Sequence, residues 1–170
     1  MHSGIIISEF YDTCCLNLHT TEKNQIDNQQ FRCISSLDFS VHTTFETDYS
    51  LAKFKGRLTP IYNCHGMTFA SRRTGIYDDA EIEKILKDDN YIEIKALNDV
   101  LAGDVVIYYQ DNSITHSGII LSNDILNGMR CIFVLSKWAK HKEVIHALNY
   151  CPYATGIKRF WRINHGFKII

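Results

Sequence analysis

The order of the predicted elements most constrains the fold of this sequence. Two helical segments come first, at 63–75 and 78–89, and β-rich segments follow them. The segment AGDVVIYYQDNSITHSGIILS divides into two strands around Asp111, Asn112 and Ser113, which predicts a hairpin. Three later segments each predict one more strand: RCIFVLSKW, KEVIHAL and GIKRFWRI. Helices followed by an antiparallel meander predict an α+β fold, with the helices packed on the sheet.

The N-terminal part of the chain is less regular than the rest. GIIISEFY at 4–11 and RCISSLDFSVHTTF at 32–45 hold short runs of β-branched and aromatic residues, which predict strands. We expect residues 1–170 to form a single domain. Within it, residues 1–50 are an extension packed on a core formed by 51–170, because about 50 residues with few apolar periods bury too little surface to fold alone.

Composition and charge exclude several classes of function. The 170 residues are 45% apolar and 22% charged, which is ordinary for a globular protein. A net charge of −1 argues against a nucleic-acid partner, which requires a basic surface. No apolar run approaches the roughly 18 residues of a membrane span, so no membrane partner is expected. The start MHSGIIISEF has no basic flank, which is atypical of a signal peptide. We therefore expect a cytoplasmic protein, with export by a specialised route left open.

The six cysteines do not follow the pattern of a disulfide scaffold or a zinc site. Cys14, Cys15, His19 and Cys33 are the nearest approach to a ligand set, but adjacent cysteines are not the usual pair spacing and no second pair exists. Most of these cysteines are expected to be reduced thiols that act as small apolar residues. No Gly-rich phosphate loop is present either, so we expect no metal and no cofactor.

One cysteine differs from the others by its position at a predicted helix start. In IYNCHGMTF, Asn63 is a suitable N-cap for a helix that begins at Cys64 and ends before Gly75. A helix N-terminus has unsatisfied N–H groups and a partial positive charge, which together stabilise a thiolate. A thiolate is the form that attacks carbonyl carbons, so Cys64 is a candidate nucleophile.

A thiol nucleophile needs a base from elsewhere in the fold. Histidine titrates in the required range, and His116 is suitably placed at the start of the strand HSGIIL, directly after the predicted hairpin turn. Either residue alone is more often structural, since buried cysteines and surface histidines are common. The hypothesis of a Cys64–His116 pair depends on the order and local context of both.

The two segments around these residues resemble the signatures of one enzyme family. YNCHGMTFASRRTGI and LAGDVVIYYQDNSITHSGIIL resemble the paired blocks of the NlpC/P60 cysteine peptidases, to which the CHAP amidases are related. The resemblance covers about residues 60–138. It implies a papain-like fold with Cys64 as nucleophile and His116 as base. Asp104, in the Gly-Asp that opens the second block, is then structural.

The resemblance also implies a third polar residue, which orients the base from the next strand. Ser136 is the nearest candidate in VLSKW, whereas the neighbouring Lys137 cannot accept a hydrogen bond from an imidazole N–H. His146, one strand later, is the alternative, and a site without a third member is left open. His65 departs from the family pattern, because a small residue usually follows the cysteine.

These residues together predict a cysteine hydrolase that cleaves an amide or peptide bond through a thioester. Proteins of the family that the resemblance implies cleave the peptide stems of bacterial cell walls, which suggests a cell-wall peptide amidase or a toxin-type effector. Two alternatives stay open: an acyltransferase or deamidase that uses the same residues, and a non-catalytic papain-like binding module. The expected partner is a peptide or amide substrate; a protein inhibitor or immunity partner is left open.

The position of Cys64 predicts that its thiol is the most reactive one in the chain. At mildly acidic pH, iodoacetamide should alkylate Cys64 ahead of Cys14, Cys15 and Cys33, because a thiol near a positive charge stays partly ionised there. Mass spectrometry of peptides from the labelled protein measures this order. Preferential labelling of any of the three N-terminal cysteines would count against the site.

Overall fold

The computed structural model describes residues 13–164, except for the side chain of His42. In chain order the elements are β1 (Thr13–Cys14), β2 (Gln30–Phe31), α1 (Ser36–Asp48), β3 (Lys53–Lys55), α2 (Cys64–Phe69), α3 (Asp79–Asp88), β4 (Tyr91–Ile94), a 3-10 helix (Leu97–Asp99), β5 (Val105–Gln110), β6 (Ser113–Leu126), β7 (Met129–Lys137), β8 (Glu143–Ala147) and β9 (Ile157–Ile163).

A sheet of seven strands organises the chain, with the strand order β3-β8-β7-β6-β5-β9-β4. All of its neighbouring pairs are antiparallel. The α+β class and the five strands predicted from position 105 onward are therefore confirmed. The last strand does not extend the meander, however. β9 returns to pair with β5, on the side away from β6.

The two faces of the sheet are covered by different helices. Alternate side chains of β5 point to opposite faces of the sheet. Val106 and Tyr108 belong to one buried cluster, and Val105 and Ile107 belong to the other. On the first face, called here the α1 face, Phe45 and other residues of the α1 region pack against this cluster. On the second, the α3 face, the cluster includes apolar residues of α3 and of the segment after α2: Ile82, Ile85, Leu86, Ala70 and Ile76.

The strand predicted at 32–45 is wrong, because most of this segment belongs to helix α1. Ser35 caps it in a reciprocal capping box: its hydroxyl accepts from the Asp38 N–H at 3.1 Å, and its own N–H donates to the Asp38 carboxylate at 3.2 Å. The strand predicted at 4–11 lies outside the described residues.

Helix α2 is shorter than the sequence predicted and ends at Phe69 rather than near Gly75. The reason is backbone geometry just beyond it, where Ser71 and Arg72 both adopt positive φ angles of 51° and 66°. Left-handed residues cannot continue a right-handed helix, and here they turn the Arg72 N–H back onto the Gly66 carbonyl at 3.1 Å.

The described part of the N-terminal segment contacts the rest of the chain. Ile26 is buried in the cluster of the α3 face, and Gln29 exchanges two backbone hydrogen bonds with Gly75. The Thr20 hydroxyl donates to the Asp88 carboxylate at 2.9 Å, at the end of α3. These contacts are consistent with an extension that packs on the core; its inability to fold alone stays a prediction.

Across residues 13–164, no helix combines the length and the apolar character that crossing a membrane requires.

A close backbone approach explains the glycine of the CHG triplet and gives a stability prediction. A Cβ at Gly66 would lie 1.7 Å from the Thr74 carbonyl oxygen. Gly66→Ala should therefore destabilise the protein by about 3 kcal/mol or more, since backbone has to move to relieve the overlap. Gly128→Ala is the matched control, because nothing lies within 4 Å of its Cβ position and only its φ of +78° opposes alanine, at about 1–2 kcal/mol. If urea unfolding showed the same loss of unfolding free energy in Gly66→Ala and Gly128→Ala, this account of Gly66 would be contradicted.

Candidate active site

The candidate nucleophile is fixed by the cap of helix α2. The Asn63 side-chain oxygen accepts hydrogen bonds from the Gly66 N–H at 2.9 Å and from the Ile76 N–H at 3.1 Å. Its amide nitrogen donates to the Ile76 carbonyl at 2.5 Å. One side chain thus joins the helix start to the segment that follows the helix. This places Cys64 at the first position of α2, as the sequence predicted.

The Cys64 thiol lies in surroundings that favour its ionised form. Burial of this side chain by itself raises the pKa of the thiol. The positive charge of His65, a hydrogen bond from that side chain, and backbone hydrogen bonds from Ser117 and His65 outweigh burial, so the pKa lies below its ordinary value. Cys64 is 7% exposed. Because α2 has only six residues, these neighbours account for the thiolate better than the helix dipole does.

A chain of side-chain hydrogen bonds fixes the ring of His65. The Thr68 hydroxyl donates to the Cys64 carbonyl at 2.9 Å, so its oxygen accepts the proton of the Ser117 hydroxyl at 3.0 Å. The Ser117 oxygen in turn accepts from Nδ1 of His65 at 2.9 Å. Nε2 of His65 is therefore the ring nitrogen that remains able to bind and release a proton.

His116 lies on the other face of the sheet. Neighbouring residues of a strand point to opposite faces, and Ser117 points toward α2. The His116 ring accordingly packs on the α1 face, stacked on Tyr153 with ring centroids 4.1 Å apart and 5.3 Å from the ring of Tyr108. It is fully buried, and neither ring nitrogen has a hydrogen-bond partner among the described residues. The contacts of this imidazole in the described residues do not include the Cys64 thiol.

Ser136 and His146, the two candidates for the third position, contact each other instead of His116. Nδ1 of His146 donates to the Ala147 carbonyl at 2.9 Å, so Nε2 accepts the proton of the Ser136 hydroxyl at 2.8 Å. The Trp138 indole N–H donates to the Ser136 oxygen at 3.1 Å. Both residues are buried on the α1 face. The roles predicted for Cys64, His116 and Ser136 stay predictions, and only Cys64 lies where α2 meets the sheet.

Three residues around the thiol were not assigned a role from the sequence: His65, Ser117 and Lys137. In the sequence, His65 stands out only as a departure from the family pattern. The signal for Ser117 is present in THSGI, because alternation requires that either His116 or its neighbour faces the helix. The side-chain hydrogen bonds of Asp104 agree with a structural role: its carboxylate binds Arg162 through two contacts of 2.7 Å and accepts from the Leu101 N–H at 2.6 Å.

The described residues offer little for a metal ion. No group of three or more His, Cys, Asp or Glu side chains lies together within 13–164 in a way that suits metal binding.

A groove of about 920 Å³ runs along the sheet and is walled by aromatic residues, which include Tyr91, Tyr109 and Trp161. Its lining contains none of the predicted site residues.

Comparison of this chain with protein-family models, curated proteins and solved structures finds no match. The resemblance to the NlpC/P60 peptidases therefore depends on the two sequence blocks, and the papain-like fold stays a prediction.

The buried histidines predict that stability falls in acid. Burial lowers the pKa of His116 to about 3, and burial, more than its neighbours, lowers that of His146 to about 4, from 6.5 when exposed. Below about pH 6.5 the folded state then binds fewer protons than the unfolded state. The free energy of unfolding therefore decreases as the pH falls from 6.5 toward the folded-state pKa of each histidine, about 4 for His146 and about 3 for His116. At about pH 5 each histidine removes about 2 kcal/mol of the free energy of unfolding.

His116→Phe isolates one of these contributions. Phenylalanine keeps the stacking on Tyr153, and no hydrogen bond is lost with the ring nitrogens. We expect a folded variant whose loss of stability between pH 7 and pH 5, measured by urea unfolding, is smaller than that of the wild type by about 2 kcal/mol. His19→Gln, at an exposed position, is the control. An unchanged pH dependence in His116→Phe would show that the ring is not held neutral.

Proposed function

We propose that this chain is a cysteine hydrolase with a papain-like arrangement, which cleaves an amide or peptide bond through a thioester on Cys64. The observation that carries the proposal is the Cys64 thiol itself: its pKa is lowered against the effect of burial, and an imidazole with a fixed ring contacts it. A structural cysteine in apolar surroundings has a raised thiol pKa, and the pKa of buried Cys151 is raised in this way.

The chemistry of the proposed reaction has two stages. In the first, the Cys64 thiolate attacks the carbonyl carbon, and the amine leaves with a proton taken from the imidazolium. In the second, water attacks the thioester carbon while the imidazole takes one proton from the water. The acid is released, the thiolate is restored, and the imidazole is again protonated beside it.

Two histidines are candidates for the imidazole in this scheme. The contacts of the described structure support His65, whose Nδ1 is held by Ser117 and whose Nε2 can exchange a proton. A hydrogen-bonded hydroxyl here serves the same purpose as the third member of a catalytic triad, which fixes the ring and its tautomer. The family resemblance supports His116, which would have to cross to the other face of the sheet to act.

Four variants test the proposal on a fluorogenic peptidyl-amide library and on bacterial cell-wall muropeptides. Cys64→Ala should abolish turnover. His65→Gln should reduce kcat about 10²- to 10⁴-fold, because general acid–base catalysis is lost. His116→Gln should leave kcat within a few-fold if His65 is the base, and the reverse pattern would assign the role to His116. Ser117→Ala should cause a smaller loss than His65→Gln.

Cys131→Ala supplies the matched control, since Cys131 is a partly exposed thiol on β7 outside the site. Intact-protein mass spectrometry should detect an acyl group on Cys64 early in turnover. Full activity in a folded Cys64→Ala variant would refute the proposal. Release of product only when an amine acceptor is added would replace hydrolysis by acyl transfer.

A further inference from the structure

A fully buried lysine lies on the face of the sheet where helix α2, which begins at Cys64, packs. Lys137 ends β7 and has no solvent exposure, which is rare for a lysine without an anionic partner. Its neighbour Ser136 points to the α1 face, so Lys137 points to the opposite face, where α2 packs. The ammonium lies over the ring of Tyr62, 4.8 Å from the centroid, and donates to the His141 carbonyl.

The nearest carboxylate in the strand register is already neutralised by another cation. Glu143 is paired with Lys137 across β7 and β8. Its side chain accepts from the Arg72 guanidinium at 2.5 and 3.2 Å and from the Tyr62 hydroxyl at 2.8 Å. Among the ion pairs of the described residues, none joins Lys137 to a carboxylate. Arg72, Glu143 and Lys137 together therefore carry one excess positive charge.

The strand register brings Lys137 toward the Cys64 thiol. Strands β6 and β7 pair at Gly118 and Ser136, so the next residue, Lys137, lies across from Ser117, whose backbone hydrogen-bonds the thiol. Burial lowers the pKa of Lys137 to about 8, against an upward effect of the negative charges of Glu143 and Cys64. Attraction between two charges is mutual, so the ammonium favours the Cys64 thiolate as much as the thiolate favours the ammonium. His65 is the charge that acts most strongly on the thiol, and Lys137 adds a second one that needs no histidine proton.

We propose that Lys137 is the buried counter-ion of the Cys64 thiolate. It acts on the charge of the nucleophile and contacts no substrate, so it is a positioning residue of the proposed hydrolase, on which this inference rests. The arrangement favours the Cys64 thiolate in the free enzyme, before a substrate is attacked, through a positive charge that does not depend on an imidazole proton.

The pH profile of thiol alkylation tests the counter-ion directly and requires no substrate. Lys137→Met keeps the length and packing of the side chain but removes its charge. We expect the midpoint of the Cys64–iodoacetamide profile to move up by about one pH unit, since an opposite charge at close range shifts an acid by about that much or more. Below the midpoint, the alkylation rate then falls about tenfold. Lys137→Arg should restore much of the shift.

Lys142→Met is the matched control, because Lys142 pairs at the surface with Glu46 at 2.8 Å. Its profile should match that of the wild type. An unchanged midpoint in a folded Lys137→Met variant would overturn the proposal.

The reciprocal measurement covers the case in which Lys137→Met does not fold. In protein labelled with ¹³C at lysine Cε, Cys64→Ser should make Lys137 titrate at a lower pH than in the wild type, because the thiolate is gone. An unchanged Lys137 titration in Cys64→Ser would equally overturn the proposal that Lys137 is the counter-ion of the thiolate. A shifted alkylation profile without turnover of any amide would reject the hydrolase and keep the Cys64–Lys137 pair.

Discussion

The alternation of side chains along β6 is the constraint on which the surroundings of the thiol depend. Ser117 faces α2, where its hydroxyl holds His65 and its N–H reaches the Cys64 sulfur. His116, one residue earlier, therefore faces the α1 side, among buried aromatic rings. A shift of one residue in the pairing of β5 with β6 would exchange the faces of His116 and Ser117 and turn His116 toward α2.

Several charged groups lie together around the site, and burying any one of them alone would cost free energy through lost hydration. A buried ammonium and a buried thiolate each lose hydration, and their mutual attraction offsets part of that loss. Arg72 and the Tyr62 hydroxyl occupy the Glu143 carboxylate, which in the proposed pair leaves the Lys137 ammonium for the Cys64 thiol. The α1 face differs, since His116 and His146 are buried there as neutral rings.

Much of the sheet was predictable because alternation and turn residues are local signals. The hairpin around Asp111 and the strands after it follow from period-two patterns. Helix α1 was missed because its β-branched and aromatic residues outweighed the Ser35–Asp38 capping signature in the prediction. The length of α2 was overestimated because Gly75 resembles a helix terminus, whereas the chain had already turned at Ser71 and Arg72.

The sequence by itself determined the α+β class, the strands of the C-terminal half and the position of Cys64 at the start of a capped helix. Each of these depends on residues that are close along the chain. Only the tertiary structure decided that the imidazole of His65 and the backbone of Ser117 contact the thiol, and that Ser136 bonds to His146. Strand register and the packing of α2 bring together residues more than fifty positions apart, such as His65 and Ser117, and no local pattern specifies that pairing.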